Sequence, residues 1–163
     1  MLRKIHVSDN GEVMVITEPI DYVSSAPNSL NSNIFSRSIY YYIVGSDGTI
    51  TRTGTIKKFQ VQYNIGAVKA TYSISHASLL HKNAVWFIYN QDRDSKEKSQ
   101  LNCVRIDFAG NKSEITPLKN QPGGHFYFQK EIVHNLGNAL FVVGYHGGSI
   151  PTGYPEMFRI EIE

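Results

Sequence analysis

The sequence predicts an all-β fold of antiparallel sheets, and three observations carry this prediction. Short segments of alternating polar and apolar residues recur along the chain, whereas the i, i+3, i+4, i+7 spacing of an amphipathic helix is almost absent. Tyr and Phe are plentiful, with 10 and 8 residues, and aromatic side chains pack well on a pleated surface. Asn, Gly and Ser, which suit tight turns, separate the apolar segments.

The first two predicted hairpins have the clearest turn signals. Residues 2–7 and 12–17 are predicted strands joined by Asp9-Asn10-Gly11. Residues 39–45 and 50–56 follow, joined by Ser46-Asp47-Gly48. Asn-Gly and Asp-Gly favour hairpin turns because these residues accept a positive φ.

Further strands are predicted along the rest of the chain, again in pairs about short turns. They are 71–80 with 84–89, 101–108 with 113–118, 126–134 with 139–144, and finally 156–162. The count is therefore about eleven short strands with turn signals between them, which is typical of an all-β domain. Trp86, Phe87, Phe141 and Val143 lie in mid-strand, so we expect them to be packed in the core or between repeated units.

These strands repeat along the sequence. Residues 83–88 match 138–143, and residues 104–107 match 158–161, at nearly the same spacing. An earlier segment of the chain belongs to the same repeat, since its turn residue Gly48 matches Gly110. The matches predict a four-stranded antiparallel unit used about three times in one domain over 1–163, at about 1–58, 59–119 and 120–163. Units of this length and strand content are typical of β-propeller blades. The alternative is a β-sandwich whose hairpins share turn chemistry.

The predicted propeller is only partial. The third unit, 120–163, has room for three strands and not for a fourth. Three blades are also fewer than the four to eight that usually close a ring, so sheet edges must be covered. We therefore expect either that the chain is part of a longer propeller or that further copies of it, or another protein, complete the β architecture.

Several segments resemble a known group of repeats. They are the aromatic strand at 40–44, the Ser46-Asp47-Gly48 turn, the lysine-containing segment at 56–60 that leaves the next strand, and the strand at 85–90. Over about residues 11–118 the chain resembles propeller-like repeat proteins of Bacteroidetes cell envelopes. It departs from that pattern at Gln91, where the group has Asp, and residues 140–144 resemble a kelch strand without its double glycine. The resemblance implies an envelope or extracellular location and brings no catalytic residues with it.

Composition excludes several classes of partner. The formal net charge is +2, from 16 Lys and Arg against 14 Asp and Glu, so we expect no nucleic acid partner. The Lys57-Lys58 pair is expected to be solvated. The single cysteine, Cys103, allows no internal disulfide and is expected to be buried and inert. The sequence has no run of about 18 apolar residues, so no transmembrane helix is predicted.

The N-terminus leaves the location open. Met1-Leu2-Arg3-Lys4 is basic, but no apolar segment and no small-residue cleavage site follow it, so the sequence does not begin with a signal peptide. A periplasmic, cell-surface or secreted location requires that a leader has been removed. A cytoplasmic location stays open as well.

Motifs for chemistry are sparse. The six histidines are scattered, and His76 and His81 lack zinc-ligand spacing. Residues 90–97 begin like a calcium loop but lack its glycine and its acid at position twelve. We therefore expect no metal, no cofactor and no catalytic residues. Asp92, Asp94 and Glu156 are the loop acids that the alternative, a carbohydrate-active propeller enzyme, would have to use.

Long connections are the predicted binding surface. They span 18–38, 59–70, 90–100, 119–125 and 145–155, whereas the other connections are tight turns. Tyr145, His146 and Tyr154 are the predicted contact residues, because Tyr offers contact area and a hydrogen bond at low entropic cost. The alternative is that these rings cover the end of the core. The sequence thus predicts a noncatalytic interaction or scaffold module of a bacterial envelope or secreted assembly, with a protein or a glycan as ligand. A virion structural protein is a further alternative.

Overall fold

The computed structural model describes residues 2–24, 31–66, 76–91, 100–115, 126–135, 139–146 and 154–161. Fourteen strands lie in these ranges, and no helix does. The strands are β1 (Leu2–Val7), β2 (Val13–Thr17), β3 (Ile20–Ser24), β4 (Asn31–Ser36), β5 (Ile39–Val44), β6 (Ile50–Ile56), β7 (Gln60–Gly66), β8 (His76–His81), β9 (Ala84–Gln91), β10 (Gln100–Asp107), β11 (Lys112–Ile115), β12 (Phe126–Asn135), β13 (Ala139–His146) and β14 (Tyr154–Glu161).

Four antiparallel sheets contain these strands. The first sheet has the order β1-β2-β5-β6, the second β11-β10-β9-β8 and the third β12-β13-β14. A smaller sheet, which we call the inserted sheet, has the order β3-β4-β7. The all-β antiparallel prediction is confirmed for the described residues, and none of these sheets is closed. Their arrangement as propeller blades stays a prediction, as does the sandwich alternative.

An apolar core lies between the first and second sheets. Alternation in β2 buries Met14 and Ile16, and alternation in β5 buries Ile39 and Ile43, on one face of the first sheet. Opposite them, Phe87 is fully buried in β9. Together with their neighbours these side chains form one cluster, the apolar core: Met14, Ile16, Ile39, Tyr41, Ile43, Ile56, Val85, Phe87, Tyr89, Val104, Ile106 and Phe108.

The second sheet is covered on both faces. Residues 84–90 of β9 are all buried, although successive side chains point to opposite sides of a sheet. Val85 and Phe87 face the first sheet, so Trp86 and Ile88 face the other way. On that side β12 of the third sheet contacts β8, β9 and β10. The expected burial of Trp86 and Phe87 is confirmed, whereas Phe141 and Val143 are half-buried.

The inserted sheet corrects the predicted loops. Residues 18–38 and 59–70 are expected to be long connections, but β3 and β4 form within the first and β7 within the second. The pattern of β4, Asn31–Ser36, is polar and lacks the alternation of a half-buried strand. It is a strand because it pairs with β3 and with β7, which follows about thirty residues later.

Tight turns connect the strands where the sequence predicts them. Gly11, Gly48 and Gly110 have φ values of 79°, 82° and 85°, which glycine adopts without steric cost. Lys82 and Asn83 also have positive φ, as the two central positions of a type I′ hairpin turn require. In the described part of the chain no helix is long and apolar enough to cross a membrane.

Candidate functional site

The first and second sheets have one end made of tight turns and one end made of long connections. At the turn end, Asn83 Oδ1 accepts a hydrogen bond from the amide of Asp9 at 3.3 Å, which joins the two sheets. At the other end lie the last residues of β2, β6 and β9 and the first residues of β5, β8 and β10. We call this second end the loop end.

A cluster of polar side chains is buried at the loop end, where the first, second and inserted sheets meet. Glu18 follows β2 and is 0% exposed, and Lys58 follows β6 with a side chain that is also 0% exposed. Buried charges are costly unless they are paired, so their partners decide what this region does. The Glu18 cluster, as we name it, consists of Arg3, Glu18, Ser36, Lys58, Gln60 and His76.

Lys58 binds three acceptors. Its Nζ lies 2.5 Å from Glu18 Oε1 and donates to Ser36 Oγ at 2.6 Å and to Gln60 Oε1 at 2.5 Å. Ser36 Oγ in turn donates to Glu18 Oε1 at 2.5 Å. An ammonium group has three protons, and here each has an oxygen acceptor. Lys58 is therefore anchored to the end of β4 and to the start of β7 as well as to Glu18.

The second carboxylate oxygen of Glu18 faces the other two sheets. His76 Nδ1, at the start of β8, lies 3.0 Å from Glu18 Oε2, and Arg3 Nε of β1 lies 3.3 Å from the same oxygen. Because an ionised carboxylate only accepts hydrogen bonds, the proton of this pair is on His76 Nδ1. One carboxylate thus links the first, second and inserted sheets.

The protonation states follow from burial and charge. Burial by itself would raise the pKa of Glu18, but the hydrogen bond from His76 and the charge of Lys58 outweigh it and hold that pKa well below its usual range. Burial lowers the pKa of His76, although Glu18 opposes this change. At neutral pH Glu18 is therefore ionised, and His76 is neutral.

A buried histidine–serine pair lies beside the cluster. His6 Nε2 of β1 lies 3.0 Å from Ser78 Oγ of β8, and Lys4 Nζ donates to the Ser78 carbonyl at 2.9 Å. Burial, the charge of Lys4 and the proximity of His76 lower the pKa of His6 to about 4. These bonds join the edge strands of the first and second sheets.

Sequence reasoning missed the Glu18 cluster. Lys57-Lys58 is expected to be a solvated pair, but only Lys57 is exposed, so the expectation is wrong for Lys58. Glu18 lies in a connection and carries no motif. The signal that could have found them is weak: each comes one or two residues after a strand, at the end where several connections converge.

The predicted contact residues come together in the third sheet. His146 pairs with Tyr154 and with Phe126, and Tyr145 pairs with Pro155 and with Tyr127. Tyr145, His146 and Tyr154 are therefore neighbours at one end of the third sheet. The connection between them, 147–153, lies outside the described residues.

The other predicted groups do not form a site in the described residues. Asp92 and Asp94 lie outside these residues, and Glu156 lies within β14. Cys103 is 1% exposed, which confirms that it is buried, and burial raises the pKa of its thiol to about 12, which disfavours the reactive thiolate. Among the described side chains no three His, Cys, Asp or Glu residues converge as metal ligands would.

The loop end also exposes apolar side chains. Tyr22 and Val23 of β3 are 61% and 49% exposed, and Phe59, next to Lys58, is 39% exposed. Tyr22 and Val23 lie on the inserted sheet, and Phe59 lies in its connection between Lys58 and Gln60 of the Glu18 cluster. The loop end therefore combines a fixed polar base with an apolar surface.

Comparison with known proteins adds no assignment to this site. No family model, no curated protein and no solved structure matches the chain.

Proposed function

We propose that this protein is a noncatalytic interaction or scaffold module of a bacterial envelope or secreted assembly, and that it binds a protein partner at its loop end. The observation that carries the proposal is the exposure of apolar residues on the inserted sheet, Tyr22 and Val23, and on the connection that enters it, Phe59. Tyr22 and Val23 lie on opposite faces of β3, so this strand presents apolar side chains on both sides, and exposed segments on a rigid scaffold are where binding residues are often found.

The Glu18 cluster supports this proposal because it fixes the surface beneath the exposed residues. Glu18 precedes β3, Ser36 ends β4 and Gln60 begins β7, so the buried ion pair holds all three strands of the inserted sheet. A surface that is already ordered loses less conformational entropy when a partner binds. We assign the cluster this positioning role.

The edge of the inserted sheet supports a protein as the partner. β3 lies at the edge of this sheet, and among the described strands it pairs only with β4. Residues 21–24 are exposed on both faces of the strand. An exposed edge strand offers backbone groups to which an extended segment of another protein can add.

The finer architecture belongs to the same proposal. The first and second sheets each have four strands in meander order, and the third has three, as the repeat pattern predicts for blades. In this arrangement Tyr145, His146 and Tyr154 extend the binding surface onto the third blade. The envelope location is supported by the resemblance to Bacteroidetes repeat proteins.

Photo-crosslinking in the native source tests the proposal. A benzoylphenylalanine residue replaces Tyr22 or Tyr154 in one set of variants, and the exposed Asn10 of the turn end in a control. We expect one protein species to be crosslinked from Tyr22 and Tyr154 and not from Asn10, and we expect Val23→Lys to reduce that product. Equal crosslinking from all three positions, or none from Tyr22 and Tyr154, would contradict a partner at the loop end.

A further inference from the structure

The first sheet has a second apolar face, away from the apolar core, that no described residue covers. Ile5 and Val7 of β1 are 51% and 54% exposed, and Ile50 of β6 is 62% exposed. Cross-strand pairs place Val15 beside Ile5, and Val13 beside Val7. We call this the outer face of the first sheet: Ile5, Val7, Val13, Val15, Tyr40, Tyr42, Val44 and Ile50.

The third sheet has an open face as well. Met157 of β14 is 68% exposed and pairs with the half-buried Val143 of β13. Phe141 lies on the same side and is half-buried, whereas Ile160 on the opposite side is 3% exposed. Arg159 and Glu161 pair with each other at 3.1 Å on this outer face of the third sheet, so these two charges balance each other.

Sequence matches between the units show what each open face is suited to contact. Phe141 and Val143 match Trp86 and Ile88, which are buried on the side of the second sheet that the third sheet covers. The outer face of the third sheet therefore has the pattern of a face that normally packs on a following sheet.

The open face of the first sheet has the complementary pattern. The turn glycines Gly48 and Gly110 align the first unit with the second, and this alignment places Tyr42 on Val104 and Val44 on Ile106. Val104 and Ile106 lie on the face of the second sheet that packs against the first sheet. The outer face of the first sheet is thus suited to pack on a preceding sheet.

We propose that the outer face of the first sheet binds the outer face of the third sheet of a second copy of this chain. In this contact two sheets pack face to face, as the first sheet packs on the second and the second on the third within one chain. It is heterologous, because two different faces meet, and a head-to-tail pair with two such contacts would close on itself. This inference is independent of the partner proposed at the loop end.

The size of the faces favours two contacts over one. The third sheet has only three strands, and three strands at about 4.8 Å spacing with about five residues at about 3.3 Å rise give a shared flat face of about 240 Å². One contact then covers about 500 Å² on both partners, whereas two contacts cover about 1,000 Å², about the least that a biological interface buries. A closed pair reaches that limit, and a single self-contact of the first sheet does not.

Sedimentation velocity and light scattering over a concentration series test this proposal. Ile5→Lys blocks one face, Met157→Lys blocks the other, and Val23→Lys on the inserted sheet is the matched control. All three positions are exposed, and circular dichroism shows whether each variant is folded. We expect wild type and Val23→Lys to have twice the chain mass of 18.4 kDa, and each blocking variant to have the single mass.

Mixing the two blocked variants makes the test specific. Ile5→Lys retains an intact third sheet, and Met157→Lys retains an intact first sheet. Their equimolar mixture can form one contact, so we expect it to associate more weakly than wild type and only at high concentration, whereas neither variant associates alone. A larger particle that both substitutions dissociate would also support the contact, in a ring of more copies. A single-chain wild type at all concentrations, or association lost in Ile5→Lys but kept in Met157→Lys, would overturn it.

Discussion

Two buried regions of this molecule hold its sheets together by different means. In the apolar core, Phe87 and Ile43 are fully buried among side chains whose attraction is non-directional and grows with buried area. In the Glu18 cluster, Lys58 is equally buried but is held by three short bonds of fixed geometry. In an apolar core, the loss of stability grows with the apolar volume that a substitution removes. In a buried ion pair, removal of one partner is strongly destabilising, because the other charge is left buried without compensation.

The largest loss of stability is expected when one partner of the buried ion pair in the Glu18 cluster is removed. Lys58→Met leaves the Glu18 carboxylate buried without its closest cation, and we expect it to reduce the free energy of unfolding by about 3–5 kcal/mol. Arg37→Met is the matched control, because Arg37 and Asp21 form an exposed pair at 3.9 Å on the same part of the molecule. It should cost less than about 1 kcal/mol in urea titrations. Similar losses in both variants would contradict the assigned difference.

A comparable effect is expected on the apolar side. Trp86 is 3% exposed between the second and third sheets, so Trp86→Ala should reduce the free energy of unfolding by about 3–5 kcal/mol. Tyr22→Ala, at an exposed aromatic residue, should change it by less than about 0.5 kcal/mol. An unchanged melting temperature in Trp86→Ala would show that its burial contributes nothing.

The sequence predicts the apolar core well because its signal is local. Alternation within β2 and β5 indicates which side chains are buried, and the turn glycines set where each strand ends. Most of the eleven expected strands lie within two residues of their observed bounds in the described ranges. Tyr145, His146 and Tyr154 flank one connection between paired strands, and their role as contact residues stays a prediction.

The polar region could not be predicted in the same way. Members of the Glu18 cluster come from connections that are far apart in sequence, and neither Lys58 nor Glu18 stands in a periodic pattern. β7 was missed although Val61, Tyr63 and Ile65 alternate with polar residues, which is a local signal of a strand. β3 and β4 were not expected as strands, because β4 is mostly polar and its pairing with β7 is long-range. Such features depend on tertiary contacts that a reading of local pattern does not contain.

The pH dependence of stability is a smaller effect that separates the two regions. Burial and the charge of Lys4 lower the pKa of His6 from 6.5 to about 4, and burial lowers that of His76. The unfolded chain therefore takes up protons below pH 6.5 that the folded chain does not, and stability falls as the pH falls from about 6.5 to 4. The slope is at most about 1.4 kcal/mol per pH unit for each histidine.

Urea titrations at a series of pH values measure this slope. Glu18 adds to the loss only below its unfolded pKa, near 4.5, because its folded pKa is lowered. His6→Gln keeps a hydrogen-bonding group toward Ser78 and should reduce the slope between pH 6.5 and 4.5. A wild-type slope of zero in this window would show that the histidines are not buried in their neutral form.

The smallest expected effect concerns a polar group placed in the apolar region. Asn90 is 1% exposed, and neither amide atom of its side chain has a hydrogen-bond partner in the described structure. Removing such a group relieves its desolvation cost, so Asn90→Leu should raise the free energy of unfolding by about 1 kcal/mol. A loss of stability in this variant would indicate that the amide is bonded after all.

Hydrogen exchange of the native protein most directly tests the claim that the Glu18 cluster fixes the loop end to the apolar core. Glu18→Gln keeps the size of the side chain but leaves Lys58 buried beside a neutral partner. We predict that amides of β3, β4 and β7 lose protection in this variant, while those of β9 and β10 keep theirs. Equal loss in all strands, or no loss in the inserted sheet, would contradict the claim.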